Sequence, residues 1–142
     1  MKTSFAFKVP GKPKQWSRAR RNGNRYFKAD EDVNAQNAIR SAYVQTPGSR
    51  IIDGPVRLSV LVLIASSKKS KILEPKDTRP DADNYIKQAM DALNGAAYHD
   101  DGQVADARVR KFYVDKENEG MVIRIDEMPS EDFEKIIEEF KR

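Results

Sequence analysis

The sequence predicts a single α/β domain of the α+β kind: one mixed β-sheet with its helices packed against it, ordered β-α-β-α-β-β-α over residues 1–142. Three features predict it. Residues 54–66, GPVRLSVLVLIAS, are a run of Val, Leu and Ile suited to a well-buried strand. Residues 130–142 place Phe133, Ile136, Ile137 and Phe140 on one helical face behind a Pro129–Ser130 start. Strand and helix patterns alternate in between, and elements with one apolar face must bury it on each other.

The elements follow in order. SFAFKV (4–9) alternates Phe5, Phe7 and Val9, the period of a half-buried strand. Residues 10–27 are rich in Pro, Gly and basic side chains and form a long loop, with a hairpin turn at NGN. Residues 28–45 form a helix whose first-turn acids complement the dipole and whose weak stripe is Val33, Ala38, Ile39, Ala42 and Tyr43. The strand 54–66 leads to a polar loop, 67–80. A helix over 81–96 has Ile86, Met90 and Leu93 on one face and Gly95 at its stop. Residues 104–114 and 120–128 are two strands joined by a turn at 115–120, as in a hairpin. The last helix sets Glu131 and Asp132 in its first turn and Lys141 and Arg142 in its last, with the four apolar residues as its core face.

Composition narrows the function. There is no cysteine, which excludes disulfides, thiolate metal sites and thiol nucleophiles. No apolar run reaches the length of a membrane span, and the N-terminus lacks the apolar stretch of a secretory leader, so the expected location is cytoplasmic. Residues 1–50 hold 11 Lys/Arg against 3 Asp/Glu, and residues 51–142 hold 15 against 19. The basic front half points to a polyanionic partner, whereas a plain DNA-coating protein would not carry so many acids behind it.

Those acids are organised. RPDADNYIK opens the second helix with Asp81 and Asp83, and YHDDGQV follows it with Asp100 and Asp101. A helix start accepts one carboxylate as a cap, but like charges brought together need a cation between them. Two readings stand side by side. In one, the four carboxylates hold a divalent metal such as Mg²⁺, which takes hard oxygen ligands, and Lys87, one turn after Asp83, steadies a phosphate or a leaving oxygen. In the other, Asp81 is a cap, Asp83 and Lys87 are a surface ion pair, and HDDG is a turn. Asn84 is a candidate to support the ligands by hydrogen bonding, and Asp91, two turns past Asp83, either supports Lys87 or faces solvent. His99, the sole histidine, is a solvated loop residue or a further ligand.

The stretch RPDADNYIKQAMDALNGAAYHDDGQV resembles the signature of RusA-type Holliday junction resolvases: an aspartate pair in D-x-D-N, a lysine one turn later, D-A-L, then D-D-x-Q-V. The resemblance implies one endonuclease domain over residues 1–142. It implies a homodimeric, Mg²⁺-dependent enzyme, with Mn²⁺ as a substitute, that nicks opposed strands of a four-way DNA junction in recombination and repair. Carried over by position, the essential carboxylates are Asp81, Asp83 and Asp101 and the catalytic lysine is Lys87, with Asp100 adjacent. His99 stands where the family pattern is apolar, and the loop before it is a residue short, which leaves the assignment open between Asp100 and Asp101. Either the strand 54–66 or the N-terminal strand offers an edge for pairing two copies.

Two basic stretches flank the acids. Lys12, Lys14, Arg18, Arg20, Arg21, Arg25 and Lys28 are interleaved with Trp16, Tyr26 and Phe27, the mix that contacts nucleic-acid backbone. Lys68, Lys69, Lys71, Lys76 and Arg79 lie just upstream of Asp81. No base-reading motif is present, so recognition of branched shape and phosphate is expected. The plainer alternatives are ordinary solvated loops, a core role for Trp16, and a branched-DNA-binding protein without catalysis.

Overall fold

A computed structural model describes residues 3–17, 20–22, 25–27, 30–128 and 130–141 of the chain. Its elements are β1 (Ser4–Pro10), β2 (Arg20–Asn22), β3 (Arg25–Phe27), α1 (Asp30–Val44), β4 (Val56–Ala65), α2 (Ala82–Ala92), β5 (Val104–Val114), β6 (Gly120–Glu127) and α3 (Ser130–Phe140). The predicted α+β class and the predicted order of the main elements both hold. The hairpin expected near NGN is present as the antiparallel pair β2–β3. Arg18 and Lys28 lie outside the described residues, as do the side chains of residues 20–22, 25–27 and 130–133.

The main sheet runs β1-β6-β4-β5. β6 pairs antiparallel with both β1 and β4, while β5 pairs parallel with β4. Two sequence expectations change here. β5 and β6 are not a hairpin, because β4 lies between them and the 115–119 turn passes over it. A strand whose alternate residues Val56, Leu58, Val60 and Val62 are all buried gains most from the centre of the sheet. For the same reason β4 has both edges occupied and cannot pair with a second copy.

The parallel β4–β5 pair needs a crossover, and α2 is that crossover. Its buried stripe is Tyr85, Gln88, Ala89 and Ala92, with Leu93 just beyond, so it is rotated by about one residue, roughly 100°, from the predicted Ile86–Met90–Leu93 face, and Ile86 and Met90 are only half-buried at its margin. α2 ends at Ala92, and Gly95, at φ +75°, takes the left-handed turn that sends the chain towards β5. α1 buries Ile39 and Tyr43 on the same side, with Phe5 edge-on to Tyr43 at 5.6 Å. Met121, Ile123 and Ile125 of β6 complete this layer.

The other face of the sheet is open. Paired residues put Lys8, Val122, Leu61 and Arg110 on one rung, Ala6, Arg124, Ser59 and Arg108 on the next, and Ser4, Asp126, Arg57 and Asp106 on the third. No described helix packs over it. α3 departs from expectation: Ile136, Ile137 and Phe140 do not enter the core and are 54, 51 and 81% exposed. No described helix is long and apolar enough to cross a membrane.

Candidate active site

The site is built around the two ends of α2. Asp81 occupies the N-cap position with extended backbone (φ −68°, ψ 146°), yet its carboxylate makes no capping hydrogen bond. Asp83 lies in the first turn, and both side chains are exposed. Neither carboxylate has a hydrogen bond or ion pair among the described residues, so the cap and the Asp83–Lys87 pair of the plainer reading are absent. The segment leading to them is held from β5: Lys111 Nζ donates to the carbonyls of Thr78 and Pro80, each at 2.7 Å. Beside Asp81 is a small cleft of about 230 Å³ lined by Gln15, Trp16, Arg79, Pro80 and Asn84.

Lys87 points along α2 rather than back to Asp83. Its Nζ is 3.6 Å from Asp91 and 5.0 Å from the Trp16 ring centroid. Of the two readings of Asp91, the structure shows it beside Lys87 rather than apart from it in solvent. Trp16 is half-buried, and its backbone N–H donates to the Asn84 carbonyl at 2.9 Å. The basic loop is therefore seated on α2, one turn from the acids.

What seats it is a buried network that sequence reasoning missed. Asp32 is fully buried and accepts hydrogen bonds from Ser17 Oγ, from Lys14 Nζ at 3.3 Å and from Gln88 Nε2 at 3.1 Å. Gln88, also fully buried, accepts from Gln36 at 2.9 Å. Lys14 donates again to the Gln15 carbonyl at 2.7 Å, so this lysine anchors the loop and is not free to meet phosphate. In the sequence Asp32 is one of three first-turn acids, and nothing local distinguishes it from Asp30 and Glu31.

Burial by itself would raise the Asp32 carboxyl, but the bonds from Ser17, Gln88 and Lys14 and the Lys14 charge outweigh it and hold it below the usual range. Asp106, bound by Arg108 and Arg57, and Glu119, bound by Lys116 and the Ala65 N–H, are also held low. A folded pKa below the unfolded one adds stability that is complete above the ordinary carboxylate range and is lost as pH falls through the folded value. The melting temperature is therefore expected to be level from about pH 8 to 5 and to drop between about pH 5 and 3. Scanning calorimetry across that range checks it, and Asp32→Asn should flatten the drop.

At the other end of α2, Asp100 accepts the Gly102 N–H at 2.8 Å and caps a short 3₁₀ turn, Asp101–Gln103. Gln103 closes the box on the Asp100 N–H and donates to the carbonyls of Ile52 and Gly54 at 2.8 and 2.9 Å. His99 bonds Asp53 at 2.7 Å on the surface. Asp101 accepts from Asn94 Nδ2 at 3.4 Å, while Asn94 Oδ1 is buried without a partner among the described residues. Burial pushes the Tyr98 hydroxyl far up, and the charges of Asp101, Asp91 and Asp100 push it further, so these three acids share one end of α2.

The two pairs of acids are thus separated by the helix, whose 11 residues span about 16 Å. Among the described residues no three Asp, Glu or His side chains lie close enough to hold one ion. Of the second basic stretch, Lys68, Lys69 and Arg79 are exposed with no ion pair among the described residues, Lys71 is 3.7 Å from Glu74, and Lys76 bonds Thr78 over the Tyr113 ring. Leu73, at the tip of this loop, is 74% exposed with φ 69°.

The profile of the family described as Endodeoxyribonuclease RusA matches residues 10–126, from the basic loop through the acids to β6. The chain belongs to the RusA endodeoxyribonuclease family. It is also 42% identical over 86 residues to the Bacillus subtilis (strain 168) protein YqaN, itself described as uncharacterized. That match covers 52% of this chain and 60% of YqaN, so the chain spans less than two thirds of that relative's length. The RusA match contains Asp81, Asp83, Lys87, Asp100 and Asp101 and the Asp32 network; α3 lies beyond it.

Proposed function

We propose that the protein is a divalent-metal-dependent endodeoxyribonuclease that nicks opposed strands of four-way DNA junctions in recombination and repair, acting as a homodimer. The observation that carries this reading is the pair Asp81 and Asp83: exposed carboxylates two residues apart, without protein partners among the described residues, beside the cationic Arg79. Mg²⁺ is held by one or two carboxylates together with waters and substrate phosphate, so this pair suffices as the protein's share of a site. Mn²⁺ accepts the same oxygen donors.

When bound, the ion supplies a water of lowered pKa and neutralises charge on the phosphoryl oxygens. The chain's own part is positioning. Lys111 fixes the segment that presents Asp81. Lys87, lying between Asp91 and the Trp16 ring, offers a positive charge to the scissile phosphate or the leaving oxygen. Asp101, which the resemblance makes essential, stands with Asp100 about a helix length from Asp81 and Asp83; its substitution tests whether cleavage also needs the acids at that end of α2.

Lys12, Lys68, Lys69 and Arg79, with the basic hairpin residues Arg20, Arg21 and Arg25, are assigned to phosphate. Each phosphate neutralised contributes about −0.9 to the slope of log affinity on log salt. Lys69→Ala is expected to make that slope shallower by about one unit, read from junction binding between 50 and 200 mM salt.

One observation favours a second reading, a branched-DNA-binding protein without catalysis: no three acids gather among the described residues. The test is a labelled four-way junction beside a linear duplex of the same sequence, both with Mg²⁺. Paired nicks confined to the junction support the nuclease. Tight junction binding without cuts in Mg²⁺ or Mn²⁺ supports the second reading.

A further inference from the structure

We propose that α3 of one copy docks on the open sheet face of a second copy, and that this reciprocal exchange forms the homodimer; the inference rests on the dimeric reading above. Two surfaces lack a partner. α3 has the strongest amphipathic pattern of the three helices, yet Ile136, Ile137 and Phe140 are exposed, and it packs closely on no other described element. Single exposed apolar residues are ordinary, but three on one helical face are an interaction stripe. The other surface is the sheet face away from α1 and α2, which carries a groove of about 680 Å³ lined by Ser59, Leu61, Val122, Arg108, Arg110 and Arg124.

The two surfaces fit in size and charge. α3 is 11 residues, about 16 Å long. Four strands at about 4.8 Å spacing make a face about 14 Å across, so the helix can lie over the full width. On the helix, Glu134 and Glu139 fall on opposite flanks of the apolar stripe. On the sheet, Lys8, Arg57, Arg108, Arg110 and Arg124 outnumber Asp106 and Asp126. Arg108 and Arg124 are each paired only with an acid two residues away on their own strand, and Arg110 with none among the described residues. An acidic-flanked apolar helix is the occupant such a face selects. An exchange in which each copy gives its helix and receives the other is self-complementary and closes as a two-fold dimer, with no open end.

The chain has no cysteine, which permits a direct test. Chains carrying Leu61→Cys and chains carrying Ile137→Cys are mixed and oxidised. Wild type, Phe140→Glu and Arg110→Glu are compared by sedimentation velocity, with circular dichroism to verify that each is folded. The expected result is a dimeric wild type, at least tenfold weaker association for both variants, and a disulfide-linked pair made of one chain of each cysteine type. A dimeric wild type whose association neither variant weakens overturns the docking and leaves the dimer standing. A monomeric wild type overturns both. Closure of the Leu61→Cys/Ile137→Cys double variant on itself, with no linked pair from the single variants, would place α3 on its own sheet and also overturn the exchange.

Discussion

Replacing Asp83 with Asn is expected to abolish junction cleavage while leaving junction binding within a few-fold of wild type. The side chain is exposed and makes no contact that the fold needs, so stability should change by less than about 0.5 kcal/mol. The substitution keeps shape and removes one of two adjacent anionic oxygen donors, which a hard divalent ion requires. Loss of a group that acts on the developing charge costs about 10²–10³ in rate, and loss of the ion itself costs more. Single-turnover cleavage and gel-shift binding of the same protein separate the two effects. A protein that binds and melts normally but does not cut assigns Asp83 to chemistry. Equal loss of binding and cleavage would instead make it part of the DNA surface.

Asp32→Ala is expected to have the largest effect on stability of any acidic substitution outside the site. The carboxylate is fully buried, and its removal takes an acceptor from Ser17, Lys14 and the buried Gln88 amide at once, leaving Lys14 and Gln88 to share the Gln15 carbonyl. Leaving buried donors unpaired costs about 1–3 kcal/mol for each strongly held group, discounted here because Lys14 can turn to water. A loss of about 3 kcal/mol lowers the melting temperature of a domain this size by about 10 °C. The consequence reaches function, because the network seats Trp16 on α2 and Trp16 in turn lies over Lys87. Junction affinity and cleavage should both fall, with faster amide exchange over residues 12–17 and slower exchange retained in β4. An unchanged melting temperature would mean that water replaces the carboxylate without cost.

The degree to which the sequence disclosed this molecule follows from the range of the interactions involved. Local periodicity located β1, α1, β4, α2, β5, β6 and α3 to within a few residues, because each carries its own apolar pattern. Spatial order was a different matter. Nothing local in VADARVRKFYV says that β5 lies parallel to β4 with α2 crossing between, and the short turn after it suggested a hairpin that β4 in fact interrupts. The Asp81–Asp83 pair was legible because the two residues are neighbours in the chain. Asp91 beside Lys87 was legible from helical spacing. The Asp32–Gln88 contact joins residues 56 apart, and no pattern announces it. The same distance effect separates Asp81 and Asp83 from Asp100 and Asp101, which the linear signature brings together and the length of α2 keeps apart. α3 shows the converse limit: its pattern predicts a buried face, and no other described element covers that face.

The most direct measurement is a time course of wild-type protein on a four-way junction labelled in each strand, first in EDTA and then after excess Mg²⁺ is added to the same mixture. The account predicts a bound but intact junction in EDTA, followed by paired nicks at symmetric positions in two opposed strands once Mg²⁺ is free. Cleavage in EDTA would contradict the role given to Asp81 and Asp83, and a junction that stays bound and intact in both Mg²⁺ and Mn²⁺ would contradict the nuclease.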